Sequence, residues 1–272
     1  MKPPTLPLRV TVIGAGGRMG RSVLRSVVEF PDLAIAGAVV PPGSPVLGQD
    51  AGELVGLKRS GVALTSDLNE ALATSDVAVD FSSAGALPVN LDACRRAHRA
   101  LLIGTTGYAA ELEDRLLAAS RDIPLLIAAN TSIGAAVLLQ LVKTAARALP
   151  AQFDIEILEA HHRMKRDAPS GTALALGRAA GEARERPIGP GGGTTRGAGL
   201  RRAGEIGFAS VRAGDLVGEH TVLFGGEGER LSLTHQATDR AVFARGALRA
   251  AAWLVLKPAG RYSMSDVIEY KS

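Results

Sequence analysis

The first 130 residues alternate short apolar runs with segments of helical periodicity, and this order limits the possible folds more than any other feature. Buried strands that are connected by helices form a parallel sheet with both faces covered and right-handed crossovers. The sequence therefore predicts an α/β fold here, with an amphipathic helix at 18–30 and a turn-rich loop at 41–61. The strands are predicted at residues 8–14, 33–40, 76–82, 100–106 and 123–130.

The pattern changes after about residue 150, where a strand with alternating apolar positions is predicted at 153–162 and is followed by a helix. Three later strands are joined by glycine-containing turns, which indicates a hairpin-built, largely antiparallel or mixed sheet. The glycine-rich tract 189–199 is interpreted as a mobile loop, with a closing lid as the second interpretation. A helix at 239–256 returns the chain to the first domain. The three strands are predicted at 205–212, 219–224 and 229–237.

The composition excludes several classes of protein. A net charge of +4 is spread along the chain and aromatic residues make up only 4%, so nucleic acid is not an expected partner. Cys94 is the only cysteine, so no intrachain disulfide is expected and the reducing cytoplasm is the expected location. The N-terminus lacks the apolar stretch of a signal peptide. The uncharged stretch 123–142 is interrupted by Pro124, Asn130 and Gly134, so no membrane span is expected.

The stretch VTVIGAGGRMG, residues 10–20, puts a glycine turn between the first strand and the first helix. Gly14 permits the tight turn, Gly16 lets backbone amides approach a pyrophosphate, and Gly20 lets the helix pack closely on the strand. Glycine turns also occur without ligands, but the flanking strand and helix favour a dinucleotide. Arg18, at the start of the helix, is either a solvated residue or an anion contact.

Dinucleotide-binding domains usually carry an acidic residue after the second strand, where it binds the hydroxyls of the adenosine ribose. Val40 and Pro41 occupy that position here, with neither an acidic residue nor an arginine nearby. The choice between NADH and NADPH is therefore open at this point.

Two more turns follow strands of the same predicted sheet and are expected to face the same crevice. In IGTTG, residues 103–107, the hydroxyls of Thr105 and Thr106 can bind a ligand, and an ordinary strand-to-helix cap is an equal alternative. In AANTS, residues 128–132, Asn130 either binds a nicotinamide amide or closes an Asx turn.

The stretch EAHHRMKRDAPSGTALALG, residues 159–177, puts two of the five histidines side by side. If the strand continues through them, His161 and His162 point to opposite faces, so at most one is a proton-transfer group. No third histidine, cysteine or suitably spaced carboxylate completes a metal-binding set, and zinc is discounted. Lys165 adds a fixed positive charge beside the pair.

The same stretch continues into an apolar helix that begins at Ser170, Gly171 and Thr172. The free N–H groups and the dipole at a helix start favour a carboxylate. A simple N-cap formed by Ser170 or Thr172 is the alternative, and a cap and an anion site can coexist. Histidine, lysine and helix start together predict a pocket for a small polyanion, with an acid alongside.

EAHHRMKRDAPSGTA resembles the characteristic motif of the dihydrodipicolinate reductases, and GAGGRMG, GTTG, AANTS and IGFASVRAGDLVGEHTVLF resemble that family in order and spacing. The resemblance covers essentially the whole chain. It implies a Rossmann-type domain at 1–131 and 241–272, and an inserted α+β domain with an open mixed sheet at 132–240. It also implies NADH or NADPH as the cofactor, a small dicarboxylate as the substrate, and a homotetramer formed through the inserted domain.

The resemblance further implies roles for individual residues. His161 corresponds to the proton donor and acceptor, and Lys165 to a second proton donor. The substrate contacts expected from the motif and from the helix start are His162, Ser170, Gly171 and Thr172. The expected cofactor contacts are Gly14, Ala15, Gly16, Gly17, Arg18, Met19, Gly104, Thr105, Thr106, Ala128, Ala129, Asn130 and Thr131.

The family's reaction would be the NAD(P)H-dependent reduction of 4-hydroxy-tetrahydrodipicolinate to tetrahydrodipicolinate with loss of water. The chain departs from the family pattern at Val40 and Pro41 and in a shorter loop at 194–202, where Arg201 best matches the family's arginine. Two other functions share the glycine loop and the predicted fold: an aspartate or homoserine type of dehydrogenase, and a dinucleotide-sensing binding protein. Neither needs the double histidine with the APSGT stretch.

Overall fold

The computed structural model describes residues 7–186, 188, 193–195, 197 and 199–269. The chain divides into two compact units. The first unit combines Met1–Ser132 with Arg240–Ser272, and the second unit is Ile133–Asp239. The first unit is therefore built from both ends of the chain.

The first unit contains a seven-stranded sheet in which every neighbouring pair of strands is parallel. Its strands are β1 (Leu8–Ile13), β2 (Leu33–Val39), β3 (Leu64–Thr65), β4 (Val77–Asp80), β5 (Ala100–Ile103), β6 (Pro124–Ile127) and β12 (Gly260–Tyr262). Across the sheet their order is β12-β6-β5-β4-β1-β2-β3. Its helices are α1 (Arg18–Ser26), α2 (Leu68–Ala73), α3 (Leu87–Arg96), α4 (Leu112–Ala119), α7 (Ala241–Leu254) and α8 (Met264–Glu269), with 3₁₀ helices at Val27–Glu29 and Glu53–Val55.

The predicted Rossmann-type α/β class is confirmed, but several strands end earlier than predicted. The glycine, serine, threonine and asparagine residues that close the predicted strands lie beyond the observed strand ends, because these residue types favour turns and loops. The first helix ends at Ser26 and continues only as the 3₁₀ helix. The edge strands β3 and β12, of two and three residues, are too short to show a periodicity in the sequence.

The C-terminal segment completes the first unit, because β12 pairs with β6 and α7 packs against β4, β5, β6 and α1. The Thr131 hydroxyl donates a hydrogen bond of 2.7 Å to the carbonyl oxygen of Phe243. A Cβ atom at Gly246 would lie 1.8 Å from the carbonyl oxygen of Thr131. Glycine at this position therefore lets α7 approach the backbone that follows β6.

Within its described residues, the second unit has a five-stranded mixed sheet and two helices, α5 (Ile133–Ala148) and α6 (Gly171–Ala183). Its strands are β7 (Asp154–His161), β8 (Thr194–Thr195), β9 (Ile206–Arg212), β10 (Gly218–Gly225) and β11 (Arg230–Ala237). The order is β11-β10-β7-β9-β8. The strands β10 and β11 form the predicted antiparallel hairpin.

The other predicted hairpin, through the turn at 213–217, is wrong. The strand β9 pairs in parallel with β7, and β10 pairs antiparallel with the other edge of β7, so β7 separates the two consecutive strands. The helix α6 lies between β7 and β9 in the chain and provides the crossover that a parallel pair requires. The connection from β9 to β10 therefore passes the end of β7, and the Ala213 N–H donates a 2.9 Å hydrogen bond to the carbonyl oxygen of His161.

The helices α5 and α6 pack against one face of this sheet through an apolar core. That core includes Ile155, Ile157, Phe208, Val222 and Phe224. The opposite face exposes Leu158 and Val211, which are 44% and 53% exposed.

Three segments discussed in the sequence analysis remain. Cys94, the only cysteine of the sequence, is buried in α3. Among the described residues, no helix is long and apolar enough to cross a membrane. Of the predicted loop or lid, residues 189–192, 196 and 198 lie outside the described residues.

Candidate active site

The glycine turn after β1 has the conformation that the motif predicts. Gly14 has a φ of +81°, and a Cβ atom there would lie 2.5 Å from the carbonyl oxygen of Phe81. A Cβ atom at Gly20 would lie 2.2 Å from the carbonyl oxygen of Gly14, so this glycine lets α1 pack against the turn. Gly17 is the N-cap of α1, and the first N–H groups of the helix point away from its body. This arrangement suits an anionic group at the helix start.

A cavity of about 670 Å³ lies at the carboxyl ends of β1, β2 and β4. Three predicted cofactor residues, Gly14, Gly16 and Gly17, line it. The segments after β2 and β4, which include Val40 to Val46 and Phe81 to Ser83, supply much of the remaining wall. The sequence places the adenosine ribose at Val40 and Pro41, whereas the segment after β4 was not predicted. Their contribution depends on strand order, which the sequence does not state. The cavity lining does not include the predicted contacts Ala15, Arg18, Met19, Gly104, Thr105, Thr106, Ala128, Ala129, Asn130 and Thr131.

A buried carboxylate at the end of β4, Asp80, organises the turns beside this cavity. It accepts hydrogen bonds from the backbone N–H of Ser82 at 2.8 Å and from the Asn90 amide at 2.8 Å. The Thr105 hydroxyl donates to the same carboxylate at 2.9 Å. Thr105 therefore holds the turn after β5 against β4. Sequence reasoning missed Asp80, although an acid that ends a buried strand needs hydrogen-bonding partners.

In the turn after β6, the two predicted polar residues both bond to backbone. The N–H of Ser132 donates to the side-chain oxygen of Asn130 at 2.9 Å, which is the Asx turn that the sequence allowed as one of two alternatives. Thr131 is buried and donates to α7. These bonds fix the backbone at the carboxyl end of β6.

In the second unit, one end of the helix-covered sheet face is polar. Glu159 and His161 follow Ile155 and Ile157 on the same face of β7, because side chains alternate along a strand. The pairing register sets Glu159 opposite His220 of β10, and His161 opposite Arg212 of β9. The apolar core is therefore followed, on the same sheet face, by a cluster of ionisable groups on the adjacent strands β10, β7 and β9.

Glu159 is the centre of this cluster, and its side chain is fully buried. Arg212 donates two hydrogen bonds to its carboxylate, at 2.7 and 2.9 Å, and the Ser170 N–H donates a third at 3.3 Å. His161 Nδ1 bonds to the same carboxylate. Burial opposes ionisation, but the hydrogen bonds from Arg212, Ser210 and His161 outweigh it and lower the pKa of Glu159 to about 2.

The ionised Glu159 determines the protonation of its histidine partner. A carboxylate only accepts hydrogen bonds, so His161 Nδ1 carries a proton and Nε2 is the atom left for proton exchange. A Cβ atom at residue 218 would lie 3.1 Å from His161 Nε2, so Gly218 leaves this nitrogen uncovered on that side. Burial lowers the pKa of His161. The positive charge of Lys165 lowers the pKa of this histidine further, whereas Glu159 raises it.

Lys165 lies in the turn after β7, where its ammonium group pairs with Asp167 at 2.9 Å. His162 follows the end of β7 and is half-buried. The N–H of Arg163 donates to the carbonyl oxygen of Gly214 at 3.2 Å, so the β9–β10 connection holds the backbone on both sides of His162. His161, His162 and Lys165 thus belong to one segment, as the motif predicts.

The start of α6 joins this cluster through Ser170, which the structure identifies as the N-cap. Its hydroxyl accepts from the Ala173 N–H at 3.2 Å and contacts His220 Nε2 at 3.0 Å. Burial and the nearby His161 lower the pKa of His220 to about 3, so this histidine is neutral at physiological pH. The described contacts of the buried Ser170 side chain are thus internal, whereas Gly171 is exposed at the helix start.

Sequence reasoning missed Glu159, Arg212 and His220. Glu159 had a usable signal, because it lies two residues before His161 on a predicted strand. Arg212 and His220 reach the site only through strand pairing and had no local signal. Arg201, the arginine matched in the sequence, lies at the opposite end of β7, where it pairs with Asp154 at 2.8 Å and with Glu156.

Comparisons with known proteins agree over nearly the whole chain. The family model described as dihydrodipicolinate reductase, N-terminus, matches residues 8–131, and the one described as dihydrodipicolinate reductase, C-terminus, matches residues 134–268. The 4-hydroxy-tetrahydrodipicolinate reductase of Anaeromyxobacter dehalogenans is 48% identical over 96% of this chain and 97% of its own. That of Nitrosomonas europaea is 45% identical over 96% and 98%. The structure of dipicolinate-bound dihydrodipicolinate reductase from Paenisporosarcina sp. TG-14 has a TM-score of 0.73 and 25% identity, and covers 94% of this chain and 97% of its own.

The depressed pKa of Glu159 predicts how stability depends on pH. The ionised carboxylate stabilises the folded state above its ordinary pKa of 4.5, and this stabilisation is lost as the pH falls towards about 2. We expect Glu159→Gln to lower the free energy of unfolding by roughly 2 kcal/mol at neutral pH, and the deficit to shrink below pH 4.5. Urea titrations followed by circular dichroism measure both values. The exposed Glu227→Gln is the control, and a deficit that is independent of pH would contradict the assignment.

Proposed function

The chain belongs to the dihydrodipicolinate reductase family, and we infer that it catalyses the family's reaction, the NAD(P)H-dependent reduction of 4-hydroxy-tetrahydrodipicolinate to tetrahydrodipicolinate with loss of water. The reaction belongs to the biosynthesis of diaminopimelate and lysine. The observation that carries the proposal at the level of the site is a histidine bound to a buried carboxylate, beside a lysine and a helix start. A dinucleotide sensor has no use for such a proton donor.

We propose that residues 1–131 and 241–272 bind the dinucleotide, and that 132–240 bind the substrate and form the subunit contacts. The glycine turn and the cavity beside it fit NADH or NADPH, because close backbone approach and a helix start suit a pyrophosphate. The bound cofactor supplies the hydride. The proposed contacts are Gly14 to Met19, Gly104 to Thr106, and Ala128 to Thr131, of which Gly14, Gly16 and Gly17 line the cavity.

The substrate is a cyclic dicarboxylate, and the second unit offers cationic and N–H groups that suit its carboxylates. Lys165 contributes a positive charge, and Gly171 and Thr172 contribute the positive end of α6. His162 and Ser170 complete the proposed substrate set, with Ser170 acting through the cap that shapes the helix start. Fixing a carboxylate in this way orients the ring for reaction.

His161 is the proposed general acid. Loss of water from the substrate gives a conjugated imine, and addition of hydride to this imine leaves an enamine that must take up a proton. His161 Nε2 is the atom available to donate that proton. Glu159 orients the ring and stabilises the imidazolium, as the carboxylate does in other carboxylate–histidine pairs. Lys165 is the proposed second proton donor.

Since one cysteine allows no intrachain disulfide, the cytoplasm is the proposed location, and neither nucleic acid nor membrane is a proposed partner.

We propose a homotetramer that assembles through the open sheet face of the second unit. This face exposes Leu158 and Val211 on adjacent strands at the centre of the sheet. Apolar side chains on an uncovered sheet face favour packing against a second sheet. The partner that suits this face is the same face of another copy. Such a two-fold contact is one of the two contacts that a tetramer of two-fold symmetry requires.

Replacing the general acid tests the reaction and the residue together. With substrate generated by a dihydrodipicolinate synthase, we expect wild-type protein to oxidise reduced nicotinamide, and His161→Gln to lower kcat by about 10² to 10⁴-fold with little change in KM. The exposed His98→Gln is the matched control and should behave as wild type. Absence of oxidation by folded wild-type protein would contradict the function, whereas normal kcat in His161→Gln would contradict only the role of His161.

Replacing the lysine tests the carboxylate contact. We expect Lys165→Ala to raise KM and to lower kcat, each by about tenfold or more, because one side chain binds the substrate and supplies a proton. The neighbouring exposed Arg166→Ala should leave both within about twofold. Steady-state kinetics measure kcat and KM for both variants. Equal losses in Lys165→Ala and Arg166→Ala would indicate a general effect of charge and would contradict the specific role of Lys165.

An acidic residue on the open face tests the assembly. We expect wild-type protein to have the mass of a tetramer by light scattering, and Leu158→Glu to give smaller species, because charges facing each other across an interface repel. Leu256→Glu, at an exposed leucine of the first unit, is the control. An unchanged mass in Leu158→Glu would show that another surface forms the contact.

A further inference from the structure

The cavity of the first unit has an unusual charge balance for a dinucleotide site. Among the described residues that line it, none is aspartate or glutamate, and Arg21 is the one with a formal charge. The wall after β2 is formed by Val40, Pro41 and Pro42, and Ser44 follows them. This wall offers no carboxylate for ribose hydroxyls, and no negative charge that would repel a phosphate.

Arg21 comes from α1 but lies at the β2 side of the cavity. Its Nε donates a 2.9 Å hydrogen bond to the carbonyl oxygen of Gly16. A Cβ atom at Gly16 would lie 3.2 Å from the side chains of both Val40 and Val46, and 4.0 Å from the Ser44 hydroxyl. The guanidinium is therefore held at Gly16, next to the wall that follows β2. Within the described part of the chain, Arg21 forms no ion pair.

The chemical difference between the two cofactors lies at this position. NADH presents a ribose 2′-hydroxyl, for which dinucleotide sites provide a carboxylate, and NADPH presents a 2′-phosphate, for which they provide an arginine. A guanidinium binds phosphate oxygens through charge-assisted hydrogen bonds. A guanidinium without an ion pair among the described residues, in a cavity whose described lining has no acid, favours NADPH.

We propose that Arg21 makes this protein selective for NADPH over NADH by binding the 2′-phosphate. The inference rests on the proposed function, since it assigns a preference to the same cofactor site. Arg18, which precedes it on α1, is exposed and does not line the cavity. Arg21 thus supplies from the helix the cation that the segment after β2 lacks.

Two nucleotides that differ only in the 2′-phosphate test the proposal by calorimetry, without substrate or turnover. We expect wild-type protein to bind adenosine 2′,5′-bisphosphate about tenfold or more tightly than adenosine 5′-monophosphate. Arg21→Gln should reduce this ratio to about threefold or less, mainly by weakening the bisphosphate. The advantage should also shrink at high salt, because the contact is ionic.

Arg25→Gln is the matched control, since Arg25 lies one turn further along α1, bonds to the carbonyl oxygen of Val55, and is outside the cavity lining. It should keep the wild-type ratio. Equal binding of the two nucleotides by wild-type protein, or an unchanged ratio in Arg21→Gln, would overturn the proposal. Turnover in the coupled assay with NADH preferred would also overturn it while leaving the reductase function intact. No turnover with either cofactor would instead remove the function.

Discussion

The second unit depends on one buried carboxylate. Glu159 connects β7 to β9 through Arg212, to the start of α6 through Ser170, and to the imidazole of His161. Removing a charge of this kind from water is costly, and the cost is recovered only when several donors bind it. The hydrogen bonds to Glu159 are therefore interdependent, because the loss of one donor leaves the buried carboxylate charge less well compensated by the remaining donors. His161, the proposed general acid, takes its orientation from the same carboxylate that connects the strands and the helix.

The first unit uses the same principle with neutral donors. Asp80 ends the central strand β4 and accepts hydrogen bonds from a backbone N–H, an amide and the Thr105 hydroxyl. These donors come from the turn after β4, from α3 and from the turn after β5. The turns at the carboxyl edge of the sheet are thus held by a side chain that is itself buried beneath them. In both units a buried carboxylate near the carboxyl end of a strand holds neighbouring segments through hydrogen bonds, which is the support that precise positioning of a site requires.

How much of this is readable from the sequence depends on whether the information is local. The glycine turn at Gly14, the N-cap at Ser170 and the Asx turn at Asn130 are set by residues within a few positions, and all three were predicted or allowed as alternatives. The partners Arg212 and His220 depend on which strands pair and in which register, and no local pattern contains that information. The wrong hairpin at 213–217 has the same origin, because a short glycine-containing connection looks identical whether or not a third strand lies between its ends.

The division of the first unit between the two ends of the chain has a consequence during synthesis. Once residue 239 has left the ribosome, every described strand and helix of the second unit is available, whereas the first unit still lacks α7 and β12. Until then, β6 is an unprotected edge strand, and the backbone at Thr131 lacks the helix that Gly246 brings against it. The second unit can therefore fold while the first unit is still incomplete, and the edge of β6 stays open to chaperones and proteases until residues 240–272 emerge.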